Sequence, residues 1–283
     1  MSSHARDRVR TWLLGVWSTL ALLYLFIPIF IVVLFSFNDN QGKFNFTWHG
    51  FTLRHWQHPF ANPDLGTALK NSLLIAGIST VIATALGTFM ALALVRYGFR
   101  GRGATDMFVF LPLATPEVVL GAALLAMFLT LNVNTGFATI VIAHVMFNIS
   151  YVVVTVKARL EGMDQHIEEA AMDLGAGVWT TFFKVTLPMI APGVASAALL
   201  AAALSVDDYV ITSFNAGQTI TFPLFIFGAA RQGVPPEVNV LASGLLFVVL
   251  ILLALNVAVQ RARGRREAAA SVLPATVGAP ANA

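Results

Sequence analysis

The chain has 283 residues, of which 57% are hydrophobic and only 11% charged. Soluble domains carry charge on about a quarter of their residues, so this composition excludes an ordinary soluble protein and points to a bilayer. A net charge of +3 does not mark a nucleic-acid binder, because the arginines are scattered among short segments between apolar runs, and the absence of cysteine excludes disulfides, thiolate metal sites and a cysteine nucleophile.

Residues 1–11 form a basic N-terminus, and an apolar run follows at 12–36. That run is too long for the h-region of a signal peptide. Its exit, Phe35-Ser36-Phe37-Asn38, offers no small-residue cleavage site, so it reads as a retained helix. The stretch from Asn38 to Ala68 carries Trp48, Trp56 and several turn formers and reads as an outer loop with interfacial aromatics; 12–68 is thus the first helix with its loop. His49, His55 and His58 in this loop lack metal-ligand spacing. Further apolar runs lie at 69–95, 108–130, 137–156, 190–213 and 239–259. Each suffices to cross a hydrocarbon core of about 30 Å, which takes roughly 20 helical residues.

The expected fold is therefore an all-α integral membrane protein with six transmembrane helices. Placing the N-terminus inside assigns 13 of the 17 Lys and Arg residues to inner segments, leaving Lys43, Arg54, Lys70 and Arg231 outside. The positive-inside rule then makes both termini cytoplasmic. Residues 69–260 form the membrane domain, with a long inner loop at 157–189. The tail, 261–283, is small, interrupted by proline and without apolar periodicity, and is expected to be disordered.

In the inner loop, Ile167, Ala170, Ala171 and Leu174 fall at i, i+3, i+4 and i+7, one face of a short amphipathic helix. Asp164 suits its N-cap, Glu168 and Glu169 suit the positive end of its dipole, and Gly175 suits a left-handed stop. A second short helix, Val178 to Lys184, is expected to end before Leu187-Pro188. Small residues at Ala170 and Ala171 permit close approach by another protein. A helix lying on the membrane surface is the other reading of this pattern, but such helices carry Lys or Arg on the polar face. Here that face is acidic.

Glu169-Ala170-Ala171, then Gly175, then Val185-Thr186-Leu187-Pro188, resembles the EAA loop of type I ABC importer permeases, with Val where Ile is commoner. The resemblance implies that this loop is a coupling helix seated in a separate cytoplasmic ATPase, with Glu168, Glu169, Ala170, Ala171 and Gly175 as coupling residues. It implies that ATPase closure switches the permease between inward-open and outward-open states. The chain has no G-x-x-x-x-G-K-[ST] loop, so it carries no cofactor of its own and ATP with its Mg would sit on the partner. No catalytic residue and no metal ligand is nominated.

Carboxylates inside spans cost roughly 2.5–3.5 kcal/mol each and are functional candidates by default. Glu117 lies in the third span and Asp207-Asp208 in the fifth, with no Lys or Arg inside either of those spans to offset them. Adjacent helical residues diverge by about 100°, so one Asp is expected to line a path and the other to pack, unless the helix unwinds. Pro112 and Pro116 interrupt the third span just before Glu117, as a simple kink or as a mark of a transport path. His144 and Asn148 share one face of the fourth span, where they suit either an interhelical hydrogen bond or a cavity wall. Tyr209 offers a cation-π face.

The segments Ser205-Val206-Asp207-Asp208-Tyr209 through Phe214, Val234-Pro235-Pro236-Glu237-Val238-Asn239 and the Pro116-Glu117 step resemble the second permease subunit of spermidine/putrescine importers. This implies a multi-pass protein of the bacterial inner membrane. Its implied partners are a sister permease, ATPase subunits and an external polyamine-binding protein. Another small solute, or a proton-coupled secondary transporter using the same acids, are the alternatives. The latter would show inverted repeats with paired broken helices, and no such repeat is found.

Overall fold

The computed structural model describes residues 3–271 apart from 41, 43 and 165. The helices are α1 (Ser3–Phe35), α2 (Arg54–Gln57), α3 (Pro63–Arg96), α4 (Arg102–Ala114), α5 (Glu117–Thr130), α6 (Phe137–Glu161), α7 (His166–Asp173), α8 (Val178–Thr181), a π turn (Phe182–Thr186), α9 (Leu187–Asp207), α10 (Val210–Asn215), α11 (Phe222–Gln232) and α12 (Pro236–Ser271). They fall into two units, residues 1–61 with 233–283, and residues 62–232.

By length and composition, four helical stretches among the described residues can cross a membrane: Thr11–Phe35, Pro63–Arg96, Phe137–Glu161 and Val178–Asp207. The third expected span, 108–130, is not one helix. It is split into α4 and α5, bent by 109°, and makes a fifth crossing if the pair counts as one. The break follows from Pro116, whose ring disfavours helical backbone at the preceding residue; Thr115 is accordingly extended (φ −91°, ψ 133°). The fifth expected span, 190–213, is also broken: α9 stops at Asp207, and Asp208 is extended before α10 begins. The last expected span, 239–259, lies within α12.

Two further expectations are corrected, and one helix appears where the sequence announced none. Pro188 does not end the helix before it: α8, the π turn and α9 run continuously, with Leu187 N–H donating to the Phe182 carbonyl. Proline lacks an N–H and crowds the carbonyl four residues back, and the widened turn just before Pro188 relieves that crowding without breaking the helix. The stretch between the last two spans is not all loop, because it contains α11. The tail is helical as far as Ser271, since Arg265 to Ala270 are strong helix formers; residues 272–283 lie outside the described residues.

Within residues 62–232, α3, α6 and α9 pack together. Helices in lipid gain little from apolar burial alone and associate through close packing of small residues. The contact surfaces follow that rule, with Ala83, Ala91, Ala143, Ala197 and Ala201 all fully buried. At Gly87 a Cβ would lie 2.6 Å from Val152 Cγ1, so glycine there permits the approach of α3 to α6. The N-terminus of α3 is capped by Asn62, whose Oδ1 accepts from Asp64 N and Leu65 N, with Pro63 in the first turn.

Within the other unit, Phe51, Phe37, Trp56 and Phe247 stack in series at 5.4–6.1 Å between centroids. Asn38 ties the segment after α1 by donating to Asn45 Oδ1 and the Thr47 carbonyl and accepting from His49 N. His55 Nδ1 lies 3.3 Å from Glu237 Oε1, both largely buried.

Candidate functional site

The loop between α6 and α9 is built much as its residues dictate. Asp164 Oδ1 accepts from His166 N at 3.0 Å, capping α7. The far end is a Schellman motif: Gly175 N donates to the Met172 carbonyl and Ala176 N to the Ala171 carbonyl, with Gly175 left-handed at φ +88°. Ala170 is exposed and Ala171 half-buried. Leu174 is 90% and Trp179 71% exposed, an apolar surface unusual for a loop that meets only water.

The two glutamates of this loop diverge. Glu169 is exposed and its Oε2 pairs with His166 Nδ1 at 3.0 Å. Hydrogen bonding to Glu169, then the nearby charges of Asp164 and Glu169, raises the pKa of His166 above its ordinary value. Glu168 turns inward instead, onto Arg96 and Thr186.

The breaks in the two proline- and aspartate-bearing spans expose different groups. Glu117 opens α5 immediately after the first break, at an exposed position where its carboxylate complements the positive end of the helix dipole. Asp207 closes α9 and is also exposed. Among the described residues neither carries an ion-pair partner. Asp208 is different: its carboxylate caps α10, Oδ2 accepting from Thr212 N and Thr212 Oγ1 (both 2.7 Å) and Oδ1 from Ile211 N (3.3 Å). Unwinding at this point resolves the divergence expected of adjacent helical residues, because the two Asp side chains no longer belong to one helix.

His144, only 3% exposed, supplies a hydrogen-bonding partner for Asp208 where no Lys or Arg is within reach. Its Nε2 lies 3.2 Å from Asp208 Oδ2 and 2.9 Å from Thr212 Oγ1, and its Nδ1 lies 2.6 Å from Ser205 Oγ. Because the Thr212 hydroxyl already donates to Asp208, Nε2 must carry the ring proton. Ser205 in turn meets Ser79 of α3 at 3.1 Å. One buried polar network therefore fastens α3, α6, α9 and α10 at the break, and His144 serves it as an interhelical hydrogen bonder. Asn148, one turn further along α6, is fully buried, and neither its Oδ1 nor its Nδ2 has a hydrogen-bond partner among the described residues.

Tyr209 sits between Asp208 and α10 with its ring 4.4 Å from that of Phe227 on α11, and Arg231 lies over the Phe227 ring at 4.8 Å. Sequence reading missed Phe227 and Arg231, because nothing in the stretch after Asn215 announces a helix that returns to the break. It also missed the ion pair of Lys157 with Asp106, at 2.7 Å. Among the described residues, no three His, Asp or Glu side chains converge as metal ligands would.

Residues 83–267 match the family described as "binding-protein-dependent transport system inner membrane component". The spermidine/putrescine transport system permease protein PotC of Haemophilus influenzae is 38% identical over 239 residues, covering 84% of this chain and 92% of that protein. The putrescine transport system permease protein PotI of Escherichia coli K12 is 39% identical over 241 residues, covering 82% and 85%. Among solved structures, a bacterial ABC transporter involved in the import of the acidic polysaccharide alginate shares the fold, with a TM-score of 0.63 at 16% identity over 93% of this chain and 99% of that one. The chain therefore belongs to the inner-membrane components of binding-protein-dependent transport systems, the permeases of ABC importers.

Proposed function

We propose that this permease conducts polyamines of the spermidine/putrescine type inward, driven by a separate ATPase that docks on α7. The observation that carries the substrate reading is the pair of exposed carboxylates without ion-pair partners, Glu117 and Asp207, each at the break of a membrane span. A carboxylate held in a low-dielectric setting attracts a cation far more strongly than one in water. Polyamines are flexible multivalent ammonium ions that can meet two separated acids at once. Tyr209, two residues after Asp207, adds an aromatic ring, and ring faces favour cations. The names of the relatives agree with this chemistry.

Asp208 and His144 hold the broken helix that presents these groups. Asn148 remains a candidate for the path, as a buried amide with unspent hydrogen-bonding capacity. The exposed Glu169 and Ala170, half-buried Ala171 and the stop at Gly175 form the face offered to the ATPase. ATP and Mg belong to that partner. A sister permease would close the other side of the path, and an external binding protein would deliver the solute. In this reading the chain crosses the membrane six times, the bent α4/α5 pair counting once, with both termini cytoplasmic.

Uptake of labelled spermidine by cells carrying the intact transporter tests the substrate. Asp207→Asn with Glu117→Gln is expected to lower uptake at least tenfold, each lost charge contact being worth about 1.5–3 kcal/mol. Uptake unchanged in the double variant would remove both residues from the path.

A further inference from the structure

Glu168 is turned away from the exposed face of α7. Its Oε1 accepts from Arg96 Nη2 at 3.2 Å and from Thr186 Oγ1 at 2.7 Å, and its Oε2 lies 3.1 Å from Arg96 Nε. The Arg96 and Glu168 side chains are only 13% and 15% exposed. The exposed pair beside them, His166 with Glu169, is 85% and 61% exposed. Exposed pairs of that kind contribute little, whereas a pair shielded from water resists separation. Arg96, Glu168 and Thr186 also stand at the wall of a cavity of about 500 Å³ that is lined in part by apolar and aromatic groups such as Phe89, Met172 and Phe182.

The partners of this carboxylate lie on different elements. Arg96 is the last residue of α3, and Thr186 is the last residue of the π turn that leads into α9. Among the described residues, the contact of Glu168 with Arg96 is the only hydrogen bond or ion pair that joins α7 to α3. Helices α3 and α9 are two of the three that form the packed core and carry Ser79 and Ser205 of the network at the break. π turns often mark places where a helix is locally adapted for function, and here one places the Thr186 hydroxyl on the Glu168 carboxylate.

We propose that Glu168 is a positioning residue, a buried tie from α7 to Arg96 of α3 and Thr186 before α9, through which displacement of α7 is passed to those spans. Glu169, by contrast, belongs to the outer face of α7. The inference rests on the reading of α7 as the helix that docks on the ATPase.

The test uses the complete transporter in membranes, with two readouts: ATPase retained on the purified permease, and ATP hydrolysed per labelled spermidine taken up. Glu168→Gln is expected to retain the ATPase at the wild-type level while raising ATP consumed per solute about tenfold, the scale of a lost charged hydrogen bond. The double exchange Arg96→Glu with Glu168→Arg should restore most of the ratio, while either single exchange should not. Thr186→Val, which spares the ion pair, should raise the ratio by a smaller factor and keeps the proposal testable if Glu168→Gln fails to insert. An unchanged ratio in an assembled Glu168→Gln or Thr186→Val transporter would overturn the tie. Loss of the ATPase from Glu168→Gln would overturn it too, by making Glu168 a docking contact. A wild-type permease that retains no ATPase would instead refute the docking of α7, and the tie with it.

Discussion

Replacing Asp208 separates the two adjacent aspartates into different roles. Asp208→Ala removes the acceptor for Thr212 N, Thr212 Oγ1, Ile211 N and His144 Nε2. Loss of a helix cap costs about 1 kcal/mol, and losing the carboxylate's remaining charged hydrogen bonds, from the Thr212 hydroxyl and the buried His144, costs about 1–3 kcal/mol more. The sum is about 3 kcal/mol, concentrated at α10. Asp207→Asn, at an exposed position, should stay within about 0.5 kcal/mol of wild type. Hydrogen exchange of the Ile211 and Thr212 amides, measured in nanodiscs, reads this directly. Exchange should accelerate on the order of 100-fold in Asp208→Ala and hardly change in Asp207→Asn. Equal protection in both variants would refute the assignment of Asp208 to the fold and Asp207 to the path.

The packing of α3 on α6 gives a second test: Gly87→Leu should destabilise the permease by about 1–3 kcal/mol in detergent unfolding, and Val152→Ala should recover part of it by vacating the space at 2.6 Å. Gly175 is left-handed, and a Cβ added there would meet open space, so the backbone alone sets the cost of a side chain. Gly175→Ala should cost about 1 kcal/mol of backbone strain and Gly175→Asn less, read as amide protection of α7. His166 has a raised pKa through Glu169 and Asp164. Its pairing therefore supports α7 fully below the unfolded value of about 6.5 and is lost as pH rises through the higher folded value. Exchange from α7 should quicken over that rise, and His166→Ala should flatten the profile.

Much of the loop between α6 and α9 was legible because its determinants are local. Asp164, the apolar i, i+3, i+4 spacing and Gly175 act within a few turns of one another, and the structure places cap, helix and stop accordingly. The membrane helices were legible as apolar runs, but their interruptions were less so. Pro116 announced one break. The break at Asp208 has no proline, and arises because a buried His from another helix and the backbone of α10 together satisfy the carboxylate. Such a partner lies 64 residues away in the chain and leaves no spacing to read. Glu168 shows the same limit: helical periodicity puts it beside Glu169, whereas Arg96, distant in sequence, turns it inward. At Pro188 a local rule misled, since a π turn accommodates the proline that was expected to end a helix.

As proposed, this chain is a polyamine permease driven by ATP through the loop around Glu169. Labelled spermidine uptake into proteoliposomes holding the whole transporter and its binding protein measures it most directly. Uptake should require ATP on the ATPase side of the membrane, survive full collapse of the proton gradient, and disappear with Glu169→Lys and Gly175→Pro. Uptake that persists without ATP and stops when the proton gradient is dissipated would contradict the account.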